Sequence, residues 1–319
     1  VDENGDSTKV YNDTNFVTSF GIVGDSLFYV DENGDSTKVY AQFGVNFRTT
    51  DSIQNTSFEQ VNNAKTFYIK STLLASKSTN LKTYINYRTV KNLNFENENS
   101  LNSKITYSQQ LFNQFLNLNT NYQTLSGTLP QQDYTYIKTE PGQGFYTWID
   151  YNNNEIKELN EFEIAQFTDQ ATYLRVILPS LNYITTHQNK FSQIVAINPQ
   201  QWSARTGLKK LISHFYNQTY ILVDSKQKKE ANKFNLNPFE TNSSNLLGLN
   251  FNLNNSFYFN KGLKTYSTTY NFINSKNKST TTIDNLENSI QQHKLQFEHK
   301  IGDFWQLNFD VSEAINKTT

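Results

Sequence analysis

A chain of 319 residues is long enough to bury a sizeable core, as one large β-domain or two ordinary ones. Only 36% is apolar, yet 14% is aromatic and the formal charge is -1, which disfavours intrinsic disorder, a state poor in aromatics and rich in net charge. The same near-neutral balance, without any Lys/Arg stripe, excludes a nucleic-acid partner, and the lack of cysteine excludes disulfide scaffolds, thiolate metal sites and thiol nucleophiles. Asn, Thr, Ser, Gln and Tyr dominate the polar residues, a mixture suited to strands with one wet and one apolar face. A cysteine-free exported chain of this size fits a bacterial envelope better than a eukaryotic secretory route. No run of about 20 apolar residues occurs, so a bilayer could be crossed only by barrel strands. The chain starts at Val1 without a leader and ends without a terminal aromatic, so it is expected to be a portion of a longer protein.

In chain order, the first feature is a perfect repeat: residues 1–11 and 30–40 both read VDENGDSTKVY. Natural repeats drift, so the identity marks a recent duplication or a misassembled sequence. The second copy predicts a hairpin, with strands at 27–30 and 37–40 around an Asn33-Gly34 turn. Its Asp31, Asn33 and Asp35 lack an acid at the twelfth loop position, where Gln42 stands, so a turn is expected there and not a metal loop.

Period-2 alternation then recurs. Phe43, Val45 and Phe47 alternate with Gln42, Gly44 and Asn46; Leu81, Thr83, Ile85 and Tyr87 with Lys82, Tyr84, Asn86 and Arg88. Leu101, Ser103, Ile105 and Tyr107 form one face of a third strand, and Leu116, Leu118, Thr120 and Tyr122 one face of a fourth. Further on, Leu247, Leu249, Phe251 and Leu253 oppose Gly248, Asn250, Asn252 and Asn254. Tyr266, Thr268, Tyr270 and Phe272 continue the pattern, as do Leu295, Phe297 and Ile301, and finally Trp305, Leu307, Phe309 and Val311. Strands of about 9 to 13 residues with one apolar face are what a transmembrane barrel needs. A soluble sandwich gives the same alternation but usually with strands of about 5 to 6 residues. The expected fold is therefore all-β: an antiparallel, up-and-down, outer-membrane-type β-barrel, whole or partial. Residues 1–127 and 181–319 supply its strands.

Residues 128–180 break the pattern, with Pro130, a Pro141-Gly142-Gln143-Gly144 turn and an acidic, Asn-rich stretch. A loop this long is usually functional or folded in its own right, and a barrel carries its long loops on the extracellular side. An ordered extracellular insert is expected. Residues 226–244 are long and polar enough to form a second such loop.

One constellation carries chemistry. In DYNNNEIKELNEFE, Asp150, Asn152, Asn154, Ile156, Glu158 and Glu161 occupy positions 1, 3, 5, 7, 9 and 12 of a loop. A hard cation such as Ca²⁺ wants six to eight oxygen ligands, and this spacing turns alternate groups toward one centre. Position 6 is Glu155, where such loops have Gly, and two ligand positions are Asn, which lowers the charge and the affinity. The competing reading is an acidic turn capping a short helix over 161–167, with Asn160 as N-cap. Calcium bound here would stiffen a loop and catalyse nothing. No phosphate loop, nucleophile elbow or HExxH is present, and His187, His214, His293 and His299 are isolated.

The stretch PGQGFYTWIDYNNNEIKELNEFEIAQFTDQATYLRV, with YSQQLFNQFLNLNTNY before it and FSQIVAINP after it, resembles large uncharacterised outer-membrane or cell-surface β-proteins of Bacteroidota. The resemblance is specific over residues 100–225 and implies an envelope location, with no catalytic residues to carry over. The expected protein is non-enzymatic, an envelope scaffold or a component of an outer-membrane assembly, export or uptake complex. Its partners would be outer-membrane lipid and other envelope proteins. The alternative from another class is a soluble cell-surface adhesin or binding module with calcium-stiffened β-sheets. A carbohydrate-active enzyme would need an acid/base pair that the sequence offers only within the 150–163 loop.

Overall fold

A computed structural model describes residues 11–30, 36–54, 57–92, 96–130, 133–178, 183–230, 233–241, 244–263, 265–280, 285–302 and 304–319. The chain is all-β. Its first six strands are β1 Tyr11–Val30, β2 Ser36–Gln54, β3 Ser57–Ala75, β4 Thr79–Asn92, β5 Glu98–Leu111 and β6 Leu116–Pro130. Four short strands follow, β7 Asp133–Lys138, β8 Tyr146–Trp148, β9 Phe162–Ile164 and β10 Tyr173–Leu178. The rest is β11 Tyr183–Ile197, one short helix α1 Leu208–Ile212, then β12 Phe215–Lys228, β13 Leu246–Phe259, β14 Tyr266–Thr280, β15 Asn285–Ile301 and β16 Trp305–Thr318.

Among the described residues, twelve strands form one sheet in the order β1-β2-β3-β4-β5-β6-β11-β12-β13-β14-β15-β16, and four form a second in the order β7-β10-β8-β9. The large sheet is a meander of antiparallel hairpins, interrupted only between β6 and β11, where the insert departs and returns. Among the described residues its end strands β1 and β16 do not pair with each other, so closure into a barrel is not present. Two compact units divide the chain: Val1–Gly127 with Thr186–Lys278 and Leu286–Thr319, and Thr128–Thr185 with Ser279–Asn285.

Cross-strand register sorts the large sheet's side chains into two faces, because side chains alternate along each strand. Phe43 lies opposite Ile69 and Val45 opposite Phe67. Phe67 meets Tyr87 and Ile69 meets Ile85; Tyr87 meets Leu101; Ile105 meets Tyr122. Farther along the sheet Val223 lies opposite Phe251 and Ile221 opposite Leu253, and Phe297 opposite Phe309. The other face carries Asn, Gln, Lys and Asp, for example Asn250 beside Asp224, which pairs with Lys190 at 3.7 Å. Gly44 sits on that polar face with the Tyr68 ring laid across it; a Cβ there would fall 2.1 Å from ring atoms.

The apolar face is largely uncovered. Phe43, Phe67, Leu307, Phe309 and Val311 are all exposed, and Trp305 is 75% exposed. One patch is different: Val223, Leu246 and Leu249 form a buried cluster with Ile221 and Phe251 against it. The sequence pattern assigned Leu247 to this face. The register corrects that, since Gln227 pairs with Leu246 and Lys226 with Gly248, leaving Leu247 as the extra residue of a bulge. A bulge shifts the alternation by one, which is how Leu246 and Leu249, three apart, come to share a face.

The second long connection also departs from expectation. β12 runs through Lys228, and the following segment folds back onto the apolar face as a strap. Phe234 meets Tyr87 and His187 edge-on, at 6.2 and 5.5 Å between ring centroids, and Phe239 meets Phe191 at 5.2 Å. Tyr122 donates a hydrogen bond to the Leu236 carbonyl at 2.6 Å, and Asn189 Nδ2 donates to the Asn235 carbonyl at 2.7 Å. Asn235 and Asn237 hold the strap's own shape by accepting from backbone N–H groups two residues on, the local bond that suits Asn to turns. Lys229 lies over the Phe234 ring, 4.4 Å from its centroid, and donates to the Asn99 carbonyl.

The hairpin expected around residue 33 has its flanking strands, with Leu27 opposite Val39 and Val30 opposite Ser36. Its Asn33-Gly34 turn, with Asp31 and Asp35, lies outside the described residues, as do residues 1–10 of the first repeat copy. Strands of the large sheet run 14 to 20 residues, longer than the alternation alone marked.

Candidate metal centre

The insert is built on aromatic contact. Tyr136 of β7 stacks on Phe162 of β9 at 4.0 Å and meets Tyr146 of β8 edge-on at 5.1 Å, and Phe162 meets Tyr173 of β10 at 5.0 Å. Burial raises the Tyr136 hydroxyl above its ordinary pKa, with neighbouring Tyr134 and Tyr146 adding to the effect. Arg175 lies over the Tyr134 and Tyr146 rings at 5.7 and 5.4 Å, and Lys157 over the Trp148 and Tyr173 rings, each at 5.5 Å. The expected Pro141 turn forms. Gly144 is required there: a Cβ would lie 2.5 Å from the Tyr173 carbonyl oxygen and 2.6 Å from its nitrogen.

β8 and β9 pair with Trp148 opposite Phe162, so the intervening loop begins and ends at one place. Inside it, Asp150 acts as the hub. Its carboxylate accepts from the Asn154 N–H at 3.2 Å and the Glu155 N–H at 2.9 Å. Asn152 Oδ1 accepts from the Asn154 N–H at 3.0 Å, and Asn154 Oδ1 from the Ile156 N–H at 2.7 Å. Asn152 Nδ2 donates to Glu158 Oε2 at 3.4 Å. The loop is therefore wound around its first residue by the side chains spaced two apart. Asn153 and Glu155 take left-handed φ values of 56° and 57°. Glu155 thus adopts the conformation that glycine supplies in such loops, at a cost of about 1 kcal/mol for a side chain in that region.

Glu161 closes the segment. It is 1% exposed, although residues 151–160 are exposed throughout. Its Oε2 accepts from Trp148 Nε1 at 2.9 Å and from the Glu158 backbone N–H at 3.3 Å, and its carbonyl accepts from the Ile149 N–H at 2.9 Å. Its other carboxylate oxygen, Oε1, is buried and has no hydrogen-bond partner among the described residues. The Tyr151 hydroxyl donates to Glu163, which pushes its pKa up.

The structure links Asp150, Asn152, Asn154 and Glu158 through hydrogen bonds and ties Glu161 to the loop through the Glu158 N–H. Ile156 is exposed, its N–H held by Asn154. Among the described residues no group of three or more His, Cys, Asp or Glu side chains is close enough together to hold a metal ion. Amide and backbone oxygens would have to supplement the carboxylates. The helix expected over 161–167 is not formed: a 3-10 turn at Leu159–Glu161, capped by Glu158 and not Asn160, leads directly into β9. Phe162 explains the difference, because its stacking on Tyr136 requires an extended chain. Trp148 as the partner of Glu161 was missed, though an indole 13 residues before a carboxylate, across two strands that must pair, is the signal that could have found it. Of the histidines, His214 and His293 have side-chain partners, Asn260 at 2.5 Å and Tyr270 at 2.7 Å. Comparison of the chain with family models, with curated proteins and with solved structures finds no match in any of the three.

Proposed function

We propose that the large sheet is the wall of an outer-membrane-type β-barrel, whole or partial, and that the protein is a non-enzymatic envelope component. It would serve as a scaffold or as part of an assembly, export or uptake complex. The observation that carries this reading is the uncovered apolar face, from Phe43 and Phe67 at one side to Leu307, Phe309 and Val311 at the other. A large exposed apolar patch marks an interaction surface, and a face running across the large sheet from β2 to β16 suits hydrocarbon. The strand order supports the same reading, as an antiparallel up-and-down meander is the arrangement of this class. So does length. A 14-residue strand spans about 46 Å, and a bilayer takes about 9–11 tilted residues. No helix among the described residues is long and apolar enough to span a membrane.

A second reading, a soluble surface module with calcium-stiffened sheets, is favoured by one observation. Asn217, Thr219 and Asn255 form a hydrogen-bonded cluster on the apolar face, with Asn255 Nδ2 donating to Thr219 Oγ1 at 2.7 Å. The experiment that separates the two is extraction. A membrane wall partitions with membranes and needs detergent to stay monodisperse. A soluble module is released by buffer alone.

A further inference from the structure

We propose that residues 150–161 bind one Ca²⁺ ion, with Asp150 and Glu161 as the carboxylates that anchor it. Asn152, Asn154 and the Ile156 carbonyl would supply the remaining protein oxygens. The inference stands apart from the membrane reading, since the loop belongs to the insert and its chemistry is local.

The argument begins at Glu161. A buried carboxylate oxygen without a donor costs several kcal/mol, because water's hydrogen bonds are lost and nothing replaces them. Oε1 of Glu161 is in that position, while Oε2 is fixed by Trp148 and the Glu158 N–H. A cation supplies the missing partner directly. The carboxylate is held against the loop at position 9 by the Glu158 N–H, and Lys157 lies over the Trp148 and Tyr173 rings.

The remaining oxygens can serve without rebuilding the loop. Each carboxylate or amide oxygen has two lone pairs, so Asp150, Asn152 and Asn154 can keep their backbone N–H partners and still face an ion. The ion is Ca²⁺ rather than Mg²⁺, because an exposed loop of mixed carboxylate, amide and carbonyl oxygens suits flexible coordination by six to eight ligands. Mg²⁺ demands a rigid octahedron and gives up its water reluctantly. With amides at two positions the affinity belongs in the weak range of extracellular modules, a Kd on the order of 0.1–1 mM.

The test is calorimetric titration of the full chain, stripped of metal and kept in whatever medium holds it folded, with CaCl2 and then MgCl2. Saturable binding of one Ca²⁺ per chain is expected, with Mg²⁺ at least about tenfold weaker. Glu161→Gln and Asp150→Asn should each weaken Ca²⁺ at least about tenfold, while Asp310→Asn on β16 changes nothing. Should Glu161→Gln not fold, Asp150→Asn carries the comparison, since its loop neighbours are exposed. Terbium luminescence excited through Trp148 gives a second readout. No saturable heat from the wild type up to about 10 mM Ca²⁺ overturns the proposal, as does binding by both loop variants at wild-type strength.

Discussion

The insert and the large sheet solve the burial of apolar groups in opposite ways. In the insert a few rings satisfy one another: Tyr136, Tyr146, Phe162 and Tyr173 form a closed set, with Arg175 and Lys157 capping ring faces. In the large sheet the apolar side chains form a face with little of the protein on it except the strap. The insert still leaves apolar side chains such as Phe145, Ile164 and Phe167 exposed around that ring set. In the large sheet Phe43, Leu307 and Phe309 lie exposed on one continuous face, which on the proposed reading lipid completes. On that reading, the shared face is where the protein meets its surroundings.

The contrast can be broken or sharpened by substitution. The largest effect is expected from a charge on the apolar face: Leu253→Lys should cost about 2–4 kcal/mol, the penalty for Lys on a lipid face near the bilayer midplane. Asn252→Lys, one residue away on the polar face, should be tolerated; urea unfolding in lipid vesicles reads the pair. Next comes Tyr136→Ala, which removes the ring stacked on Phe162 and should cost the insert about 2–3 kcal/mol, less than a fully buried aromatic loses. Limited proteolysis should then cut within residues 133–178 while the large sheet stays resistant.

Phe234→Ala removes two edge-on ring contacts and the ring beneath Lys229, together about 1–2 kcal/mol. Faster hydrogen exchange across residues 233–241, without loss of the sheet, is the expected signature. The smallest effect has the opposite sign. Glu155→Gly relieves a left-handed residue at some entropic cost and should stabilise the insert by about 0.5 kcal/mol. Thermal unfolding should show the midpoint rising.

Alternation made the two faces of β2, β4, β5, β6, β15 and β16 legible in the sequence, because one face of each strand reads polar and the other apolar. β12 was not legible. Its Tyr220, Ile221, Leu222 and Val223 are apolar on both faces, so no alternation survives there to be read. β3 was obscured for a related reason, with Phe67, Tyr68 and Ile69 adjacent and Tyr68 turned to the polar face across Gly44. The bulge at Leu247 could not be foreseen from one strand, since a bulge is a relation between two. Residues 226–244 read in the sequence as an outward polar loop, yet the apolar Phe234, Leu236 and Phe239 among the Asn and Lys are the sign of a strap.

For the candidate site, the spacing of Asp150, Asn152, Asn154 and Glu158 named the residues that the loop's hydrogen bonds join. The Glu155 departure turned out to be conformationally accommodated, at φ 57°. Burial of Glu161 was beyond the sequence. It depends on β8 and β9 pairing and on Trp148 reaching across, neither of which a spacing rule contains.

Brominated-lipid quenching of Trp305 addresses the central claim most directly. Trp305 is 75% exposed and on the same face as Leu307 and Phe309. With the protein reconstituted into vesicles of brominated phospholipid, a quenched component of the emission is expected that disappears in Trp305→Phe. A chain that stays monodisperse without detergent, and whose Trp305 emission is untouched by brominated lipid, would contradict the account.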